Sequence, residues 1–340
     1  MRAVILNGPG DIRVGDVADP VVVKPTDAVI RLAASCACGS DLWLYRGIDT
    51  ANYPVRMGHE YAGVVEAIGD EVRTIRVGDF VVGSFFASDN TCDICRRGYQ
   101  TSCPHREAAA PDGAQAQYMR VPQADGTLVV TPGVPASDLL PSLMAASDVL
   151  GTGWFGADAA EVAPGKTVAV VGDGAVGLLA VMAARHMGAD RIIAMSRHTS
   201  RQELALEFGA TDIVTERGAD GVSAIKRLTG GLGAHSVIEA VGTRESMMQA
   251  LEATRPGGHM SFVGVPHDVA IPGLELFFSH VHVHGGPAPV RRYLPDLIDL
   301  IWDRTLDPGR VFDLALPLDH AAEASDAMSQ RRAVKSLLTL

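Results

Sequence analysis

A glycine-rich turn between an apolar strand and an apolar helix constrains this chain more than any other feature. The stretch PGKTVAVVGDGAVGLLAVMAARHMG begins as a turn, continues as a buried strand, and passes through Gly172, Gly174 and Gly177 into a segment with helical spacing. Three glycines in this G-x-G-x-x-G order, between a strand and a helix, are typical of a turn that approaches a dinucleotide pyrophosphate. The alternative is a glycine-rich turn that binds nothing.

The segments that follow alternate between strand and helix patterns. DIVT, HSVIEAVG and GGHMSFVGV read as strands, and VSAIKRLTGG and RESMMQALEAT read as helices. Such alternation predicts parallel βαβ units in a doubly wound sheet. Residues 1–150 are instead rich in glycine, proline and short β-branched runs, which predicts an irregular, mostly antiparallel β domain.

The end of the second strand of this unit, RIIAMSRHTSR, indicates which dinucleotide is bound. An NAD site carries an acidic residue there for the ribose 2′-hydroxyl, whereas this chain has Ser196 followed by Arg197. A hydroxyl and a guanidinium suit a 2′-phosphate, and Arg201 lies one turn further on. We therefore predict NADP(H), with solvated residues at a strand–helix junction as the alternative. The remaining predicted cofactor contacts are Ala175, Val176, Val241, Gly242 and Val263.

Charge and hydropathy exclude some classes of partner. The formal net charge is −11, which argues against nucleic acid or an anionic membrane surface. The N-terminal apolar run is too short for a signal-peptide core, and no apolar run has the length of a membrane span. We therefore expect a soluble cytoplasmic protein. In that compartment clustered thiols are more often metal ligands or nucleophiles than disulfides.

Several short motifs together resemble the zinc-dependent medium-chain alcohol dehydrogenases. They are CGSD, GHE, a cluster of thiols, GDGAVG and the closing RRAVKSLL, and the resemblance covers nearly the whole chain. It implies an α/β protein with a GroES-like catalytic domain at 1–150 and a Rossmann domain at 151–287. It also implies that the segment 288–340 returns to the catalytic domain.

The resemblance assigns a catalytic metal site. Cys38, His59 and Asp148 match the catalytic zinc ligands, and the aspartate is the form found in bacterial secondary-alcohol dehydrogenases. Glu60 matches the acidic neighbour of the zinc, and Ser40 matches the hydroxyl that takes the alcohol proton. These roles imply that zinc polarises the substrate oxygen while hydride passes between the substrate carbon and the nicotinamide.

One position departs from the family pattern. Many members carry a histidine three residues after the hydroxyl, and this chain has Trp43. Without that histidine, the proton relay either ends through the cofactor ribose and water or uses another group. We expect Trp43 to line the substrate pocket and favour an apolar or aromatic alcohol or carbonyl compound. The alternatives are a polyol or sugar dehydrogenase of the same fold, and a non-catalytic NADPH-binding protein. The resemblance also suggests a homodimer or homotetramer.

The thiol cluster SDNTCDICRRGYQTSC matches the second, structural zinc site of the family. If Cys92, Cys95 and Cys103 take the last three ligand positions, the first falls on Asp89. A carboxylate oxygen is an acceptable zinc ligand, although thiolates are commoner in closed sites. The alternatives are a Cys92–Cys95 redox pair and a lobe without metal. The fifth cysteine, Cys36, matches no family role and is expected in the core.

The segment HVHVH places three histidines at alternate positions. In a strand, His280, His282 and His284 would share one face, while Val281 and Val283 would face the core. We expect surface or interface histidines here rather than a metal site.

Overall fold

The computed structural model describes residues 1–340, which divide into two compact units. One unit contains Met1–Asp148 together with Pro289–Leu340, and the other contains Val149–Ala288. The C-terminal segment therefore folds with the N-terminal part of the chain.

The strands are β1 (Arg2–Gly8), β2 (Asp11–Asp16), β3 (Ala28–Ala37), β4 (Val55–Arg56), β5 (Ala62–Ile68), β6 (Phe80–Gly83), β7 (Phe86–Ala87), β8 (Glu107–Ala108), β9 (Tyr118–Val121), β10 (Leu128–Val130), β11 (Thr167–Val171), β12 (Arg191–Met195), β13 (Asp212–Val214), β14 (Ala234–Glu239), β15 (Thr254–Phe262), β16 (His282–Gly285), β17 (Phe312–Pro317) and β18 (Lys335–Thr339).

The α-helices are α1 (Asp41–Tyr45), α2 (Asp93–Arg96), α3 (Ala124–Thr127), α4 (Leu140–Ala146), α5 (Val149–Ala159), α6 (Ala175–His186), α7 (Thr199–Glu207), α8 (Gly218–Leu228), α9 (Arg244–Ala253), α10 (Gly273–Ser279), α11 (Val290–Trp302) and α12 (Ala321–Ser329). Short 3-10 turns occupy Gln100–Ser102, Ser137–Leu139, Pro308–Val311 and Leu318–His320. None of the helices combines the length and hydropathy that crossing a bilayer requires.

The first unit is built on a seven-stranded sheet in the order β10-β6-β5-β3-β18-β17, with β9 also paired to β3. Its pairs are antiparallel except for β17 and β18, which confirms the mostly antiparallel β domain. Ile30 and Leu32 of β3 alternate into a core that also contains Tyr61 and Met119. The pairing of β18 with β3 brings the last residues of the chain beside Cys36, which is buried as expected.

Two small sheets complete this unit. One has the order β2-β1-β4, and the other pairs β7 with β8. Phe86 lies opposite Ala108 in the second pair. Because β7 and β8 are adjacent in space, residues 88–106 form a closed lobe that contains the three clustered cysteines.

The second unit is a six-stranded parallel sheet in the order β13-β12-β11-β14-β15-β16. This is the strand order of a doubly wound dinucleotide-binding sheet, as the alternation predicted. The glycine turn leads from β11 into α6. Gly172 has a φ of 126°, and a Cβ atom on Gly177 would collide with the Gly172 carbonyl oxygen. Only glycine fits these two positions.

The histidine-rich segment differs from the prediction at one residue. β16 begins at His282, and His280 instead ends α10 in a left-handed conformation with a φ of 53°. The prediction that three histidines share a strand face is therefore wrong for His280. This residue is the C-cap of α10, and its left-handed backbone conformation ends the helix before the strand begins. Val281 and Val283 pack against the core, as expected.

Candidate active site

Four potential metal ligands converge at one end of the large mixed sheet. Cys38 follows β3, His59 and Glu60 precede β5, and Asp148 lies between α4 and α5. Their ligand atoms all lie within 4.8 Å of one another. Asp148 Oδ2 is 3.2 Å from His59 Nε2 and 3.7 Å from Cys38 Sγ. The structure thus brings together the four residues that the sequence had placed at the catalytic zinc.

A buried serine holds Asp148 beside the histidine loop. Ser147 Oγ donates a hydrogen bond to the Gly83 carbonyl at 2.7 Å and accepts one from the Tyr61 backbone N–H at 3.0 Å. These bonds tie the end of α4 to β6 and to the start of β5. The position of Asp148 therefore depends on the hydrogen bonds of the neighbouring Ser147 hydroxyl to the backbone as well as on its own contacts.

Asp41 stands behind His59 and was not identified from the sequence. Its Oδ1 is 3.4 Å from His59 Nδ1, and its Oδ2 accepts hydrogen bonds from the Cys38 backbone N–H at 2.9 Å and from Gln115 Nε2 at 3.3 Å. A carboxylate at Nδ1 orients the imidazole so that Nε2 faces the other ligands. The signal was present in the sequence as the aspartate three residues after Cys38.

A second missed residue, Lys335, neutralises Glu60. Lys335 Nζ donates to Glu60 Oε1 at 2.6 Å and to the Ala37 carbonyl at 3.2 Å, and both charged side chains are buried. Glu60 Oε2 is also buried and has no hydrogen-bond partner. A buried carboxylate oxygen without a partner beside three zinc-type donors is in position to reach a cation.

The charges of the cluster are consistent with a bound divalent cation. Burial, followed by the neighbouring carboxylates, raises the pKa of the Cys38 thiol, and burial also raises the pKa of Glu60. Burial opposes charge on His59, but Asp41, Cys38 and Asp148 outweigh it and raise the His59 pKa well above its ordinary value. Sulfur, nitrogen and carboxylate oxygen are the donors that zinc prefers, so the residues present fit zinc.

The predicted proton-transfer and substrate residues lie on the turn after Cys38. Ser40 is the exposed N-cap residue of α1, and Trp43 lies half-buried on the same helix. The Trp43 N–H donates to the Ser40 carbonyl at 3.3 Å, so one tight turn carries both residues.

A second cluster forms in the lobe between β7 and β8. One ligand atom from each of Asp89, Cys92, Cys95 and Cys103 lies within 4.8 Å of the others. Cys92 Sγ is 4.0 Å from Cys103 Sγ, about twice a disulfide bond length, and all five cysteines are free thiols. Three sulfurs and one carboxylate in this arrangement are a suitable donor set for zinc.

His105 supports Asp89 and was also missed in the sequence. Its Nδ1 lies 2.6 Å from Asp89 Oδ2, while Asp89 Oδ1 accepts the N–H groups of Thr91 at 2.9 Å and Cys92 at 3.1 Å. Burial disfavours the charged carboxylate, but these hydrogen bonds outweigh it and hold the Asp89 pKa well below its usual range. Asp89 is therefore a preformed anionic ligand at neutral pH.

The predicted dinucleotide contacts meet at the carboxyl edge of the parallel sheet. A Cβ atom on Gly174, the N-cap of α6, would meet no atom within 4 Å, so the turn is open there. Glu239, at the end of β14, accepts the N–H groups of Val241 and Gly242, each at 2.8 Å. The Glu239 carbonyl accepts the Val263 N–H at 2.8 Å. The buried Glu239 thus organises three of the predicted contacts.

A carboxylate from the glycine turn reaches the predicted 2′-phosphate residues. Ser196 is buried at the end of β12, and its Oγ donates to Asp173 Oδ2 at 2.8 Å. Arg201 Nη1 lies 3.2 Å from Asp173 Oδ1, whereas Arg197 is exposed. Asp173 was not predicted to act here, because it lies in the glycine turn and not at the end of β12.

Comparison with known proteins agrees with this architecture. Residues 24–133 match the family described as alcohol dehydrogenase GroES-like domain, and residues 175–303 match the family described as zinc-binding dehydrogenase. The fold and these matches therefore define an oxidoreductase of the alcohol dehydrogenase class. The chain belongs to the zinc-dependent medium-chain alcohol dehydrogenase family, which confirms the predicted family and fold class.

Three similar proteins illustrate the relationship. A zinc-binding alcohol dehydrogenase type protein of Mycobacterium tuberculosis is 38% identical over 95% of this chain and 84% of its own length. The NADP-dependent isopropanol dehydrogenase of Thermoanaerobacter brockii is 32% identical over 84% of each chain. The solved structure of the alcohol dehydrogenase TADH from Thermus sp. ATN1 has a TM-score of 0.91 and 32% identity, covering 100% of this chain and 99% of that chain.

Proposed function

We propose that this protein is a zinc-dependent alcohol dehydrogenase or carbonyl reductase that transfers hydride between NADP(H) and a secondary alcohol or its ketone. The observation that carries the proposal is the convergence of Cys38, His59, Glu60 and Asp148 within 4.8 Å. A protein that only bound a dinucleotide would have no need of this donor set. The similarity to an isopropanol dehydrogenase supports a secondary alcohol as substrate.

Cys38, His59 and Asp148 would hold the catalytic zinc. Zinc in such a site supplies Lewis-acid stabilisation of negative charge on the substrate oxygen. Asp41 fixes the His59 ring through Nδ1, and Lys335 offsets the charge of Glu60. Together these partners orient the ligands and balance their charge.

Three further residues would act around the substrate. The exposed Ser40 hydroxyl, at the N-cap of α1, would accept the alcohol proton and pass it to solvent. Trp43 on the same helix would line the substrate pocket and favour apolar groups. Glu60 Oε2, which has no partner, would approach the metal when ligands exchange.

Asp89, Cys92, Cys95 and Cys103 would hold a structural zinc. A closed set of four protein ligands leaves no open position for substrate. Its contribution would be to the folding of the lobe, which has little apolar content of its own.

The cofactor assignment depends on the end of β12. Ser196 and Arg197 would bind the 2′-phosphate, with Arg201 nearby. The carboxylate of Asp173 pairs with Arg201 and reduces the positive charge of the predicted 2′-phosphate site. Two guanidinium groups against one carboxylate still leave a net positive site, so we favour NADP(H) over NAD(H).

A substrate and cofactor screen tests the proposal. Zinc-loaded protein is assayed with primary alcohols, secondary alcohols, polyols and ketones, each with NADP(H) and NAD(H), by absorbance of the reduced nicotinamide. We expect the highest kcat/KM with a secondary alcohol and NADP+, and loss of turnover in Cys38→Ser. Faster turnover of polyols would contradict the substrate class. Preference of the unmodified protein for NAD+ would contradict the cofactor assignment.

We also propose that the protein forms a homodimer or homotetramer through the second unit. Leu274, Phe277 and Phe278 of α10 are 70%, 73% and 69% exposed, and β16 is an edge strand of the parallel sheet. An apolar patch beside an open sheet edge fits a second copy of the chain. Sedimentation of the wild-type protein and of Phe277→Glu tests this, and a wild-type monomer would contradict it.

A further inference from the structure

An arginine-rich cleft lies in the first unit, next to the cysteine lobe. Its volume is about 380 Å³, and its lining includes four arginines, namely Arg96, Arg97, Arg291 and Arg292. Two come from the end of α2 and two from the first turn of α11. Four guanidinium groups around one cleft are unexpected in a chain whose formal net charge is −11. The cluster takes no part in the proposed reaction.

Two of these arginines, Arg97 and Arg291, differ in their partners. Arg97 Nε lies 3.1 Å from Asp93 Oδ2, in an exposed pair. Arg291 is half-buried, and its Nε is buried without a hydrogen-bond partner. A buried guanidinium donor without an acceptor is unfavourable, and an anionic ligand would supply that acceptor.

The turn at Gly98 in the lobe packs against Arg292 of α11. Gly98 has a φ of 87°, and a Cβ atom there would lie 2.7 Å from Arg292 Cδ. The Gly98 N–H donates to the Cys95 carbonyl at 2.8 Å, which ties this turn to the cysteine cluster. The positive φ favours glycine at this turn, and the Arg292 side chain packs directly against it.

The side-chain oxygen of Gln100 needs a hydrogen-bond donor, which a bound ligand would have to supply. This lining residue is buried, its Nε2 donates to Asn90 Oδ1 at 3.0 Å, and its Oε1 has no partner. A ligand that satisfies both Arg291 and Gln100 must accept hydrogen bonds and also donate one. Hydrogen phosphate does both, whereas sulfate at neutral pH carries no hydrogen.

We propose that this cleft is a phosphate-binding site, separate from the catalytic cluster, that takes hydrogen phosphate either free or as the phosphoryl group of a small molecule. The guanidinium groups bind the phosphate oxygens, and the side-chain Oε1 of Gln100 accepts the phosphate hydrogen. Because its walls come from α2 and α11, a bound phosphate ties the lobe to the C-terminal segment.

Calorimetric titration of the full-length, zinc-loaded protein tests the site. Inorganic phosphate, glycerol phosphate and sulfate are compared at constant ionic strength in chloride. We expect saturable heat with inorganic phosphate, weaker binding of sulfate, and a rise in Tm with phosphate that chloride does not reproduce. Tighter binding of glycerol phosphate than of inorganic phosphate would support the site and assign it to a phosphoryl group on a larger molecule.

Variants locate the binding. Arg291→Gln and Arg96→Gln should each weaken phosphate binding about tenfold, because each removes one charged hydrogen-bond donor. Arg13→Gln, an exposed arginine remote in sequence and paired with Asp11, is the matched control and should bind normally. Arg96 is exposed, so its variant remains informative if Arg291→Gln fails to fold. Absence of saturable phosphate heat in the wild type, equal binding of sulfate, or unchanged affinity in both variants would overturn the proposal.

Discussion

Lys335 Nζ and Glu60 Oε1 form a 2.6 Å ion pair between two buried side chains that are 275 residues apart in the chain. The pair joins β18, at the end of the chain, to the loop that carries His59. It therefore links the correct folding of the C-terminal segment to the charge state of the candidate active site.

Lys335→Met should strongly destabilise the protein. The substitution leaves the Glu60 carboxylate buried without its cation, which costs about 3–5 kcal/mol of the free energy of unfolding. Chemical denaturation followed by circular dichroism measures this change. The double variant Lys335→Met/Glu60→Gln should recover part of the loss, since it removes both charges. A single variant within about 1 kcal/mol of the wild type would show that the pair contributes little.

Asp41→Asn should weaken binding of the catalytic zinc. Asp41 is the carboxylate at His59 Nδ1, and loss of such a partner typically lowers metal affinity about 10- to 100-fold. Competition with a chromophoric chelator measures the affinity, and kcat should fall with it. Asp11→Asn, an exposed carboxylate paired only with Arg13, is the control. Equal zinc affinity in the two variants would contradict the role of Asp41.

Asp173→Asn should strengthen NADP+ binding relative to NAD+ binding. The substitution removes the carboxylate that pairs with Arg201, and with it a negative charge near the predicted 2′-phosphate, an effect of about threefold to tenfold in the ratio of dissociation constants. Fluorescence titration with each dinucleotide measures both constants without turnover. Glu203→Gln, an exposed carboxylate on the same helix as Arg201, is the matched control.

Ser196→Asp should have the opposite effect. It places a carboxylate at the end of β12, where NAD-binding sheets carry one, and the same titration should shift toward NAD+. An unchanged preference in both Ser196→Asp and Asp173→Asn would place the 2′-phosphate elsewhere.

Changes at Asp89 should alter the retention of one zinc ion. Asp89→Cys completes a set of four thiolates and should slow zinc loss to a chelator, whereas Asp89→Ala should accelerate it. Elemental analysis after timed dialysis gives the number of ions retained. Asp93→Asn, an exposed residue on α2 that pairs with Arg97, should behave like the wild type. Identical zinc loss in all three variants would exclude Asp89 as a ligand.

Local patterns were sufficient for most of the architecture. The strand–glycine–helix stretch predicted β11 and α6, and the alternation of strand and helix patterns predicted the parallel sheet, because periodicity and backbone preference act over a few residues. The histidine segment failed at His280, where the end of α10 determined the backbone conformation instead. The boundaries of helices and strands depend on packing against neighbouring elements, so a short stretch of sequence predicts them poorly.

The sequence by itself determined the family, the alternation of strands and helices, and the residue types available as metal ligands. Only the tertiary structure decided which side chains pair with the predicted site residues. These pairs are Asp41 with His59, Lys335 with Glu60, His105 with Asp89, and Asp173 with Ser196 and Arg201. The reason is physical. Periodicity and turn chemistry are properties of adjacent residues, whereas a buried charge finds its counter-charge only when strand pairing and packing bring distant segments together.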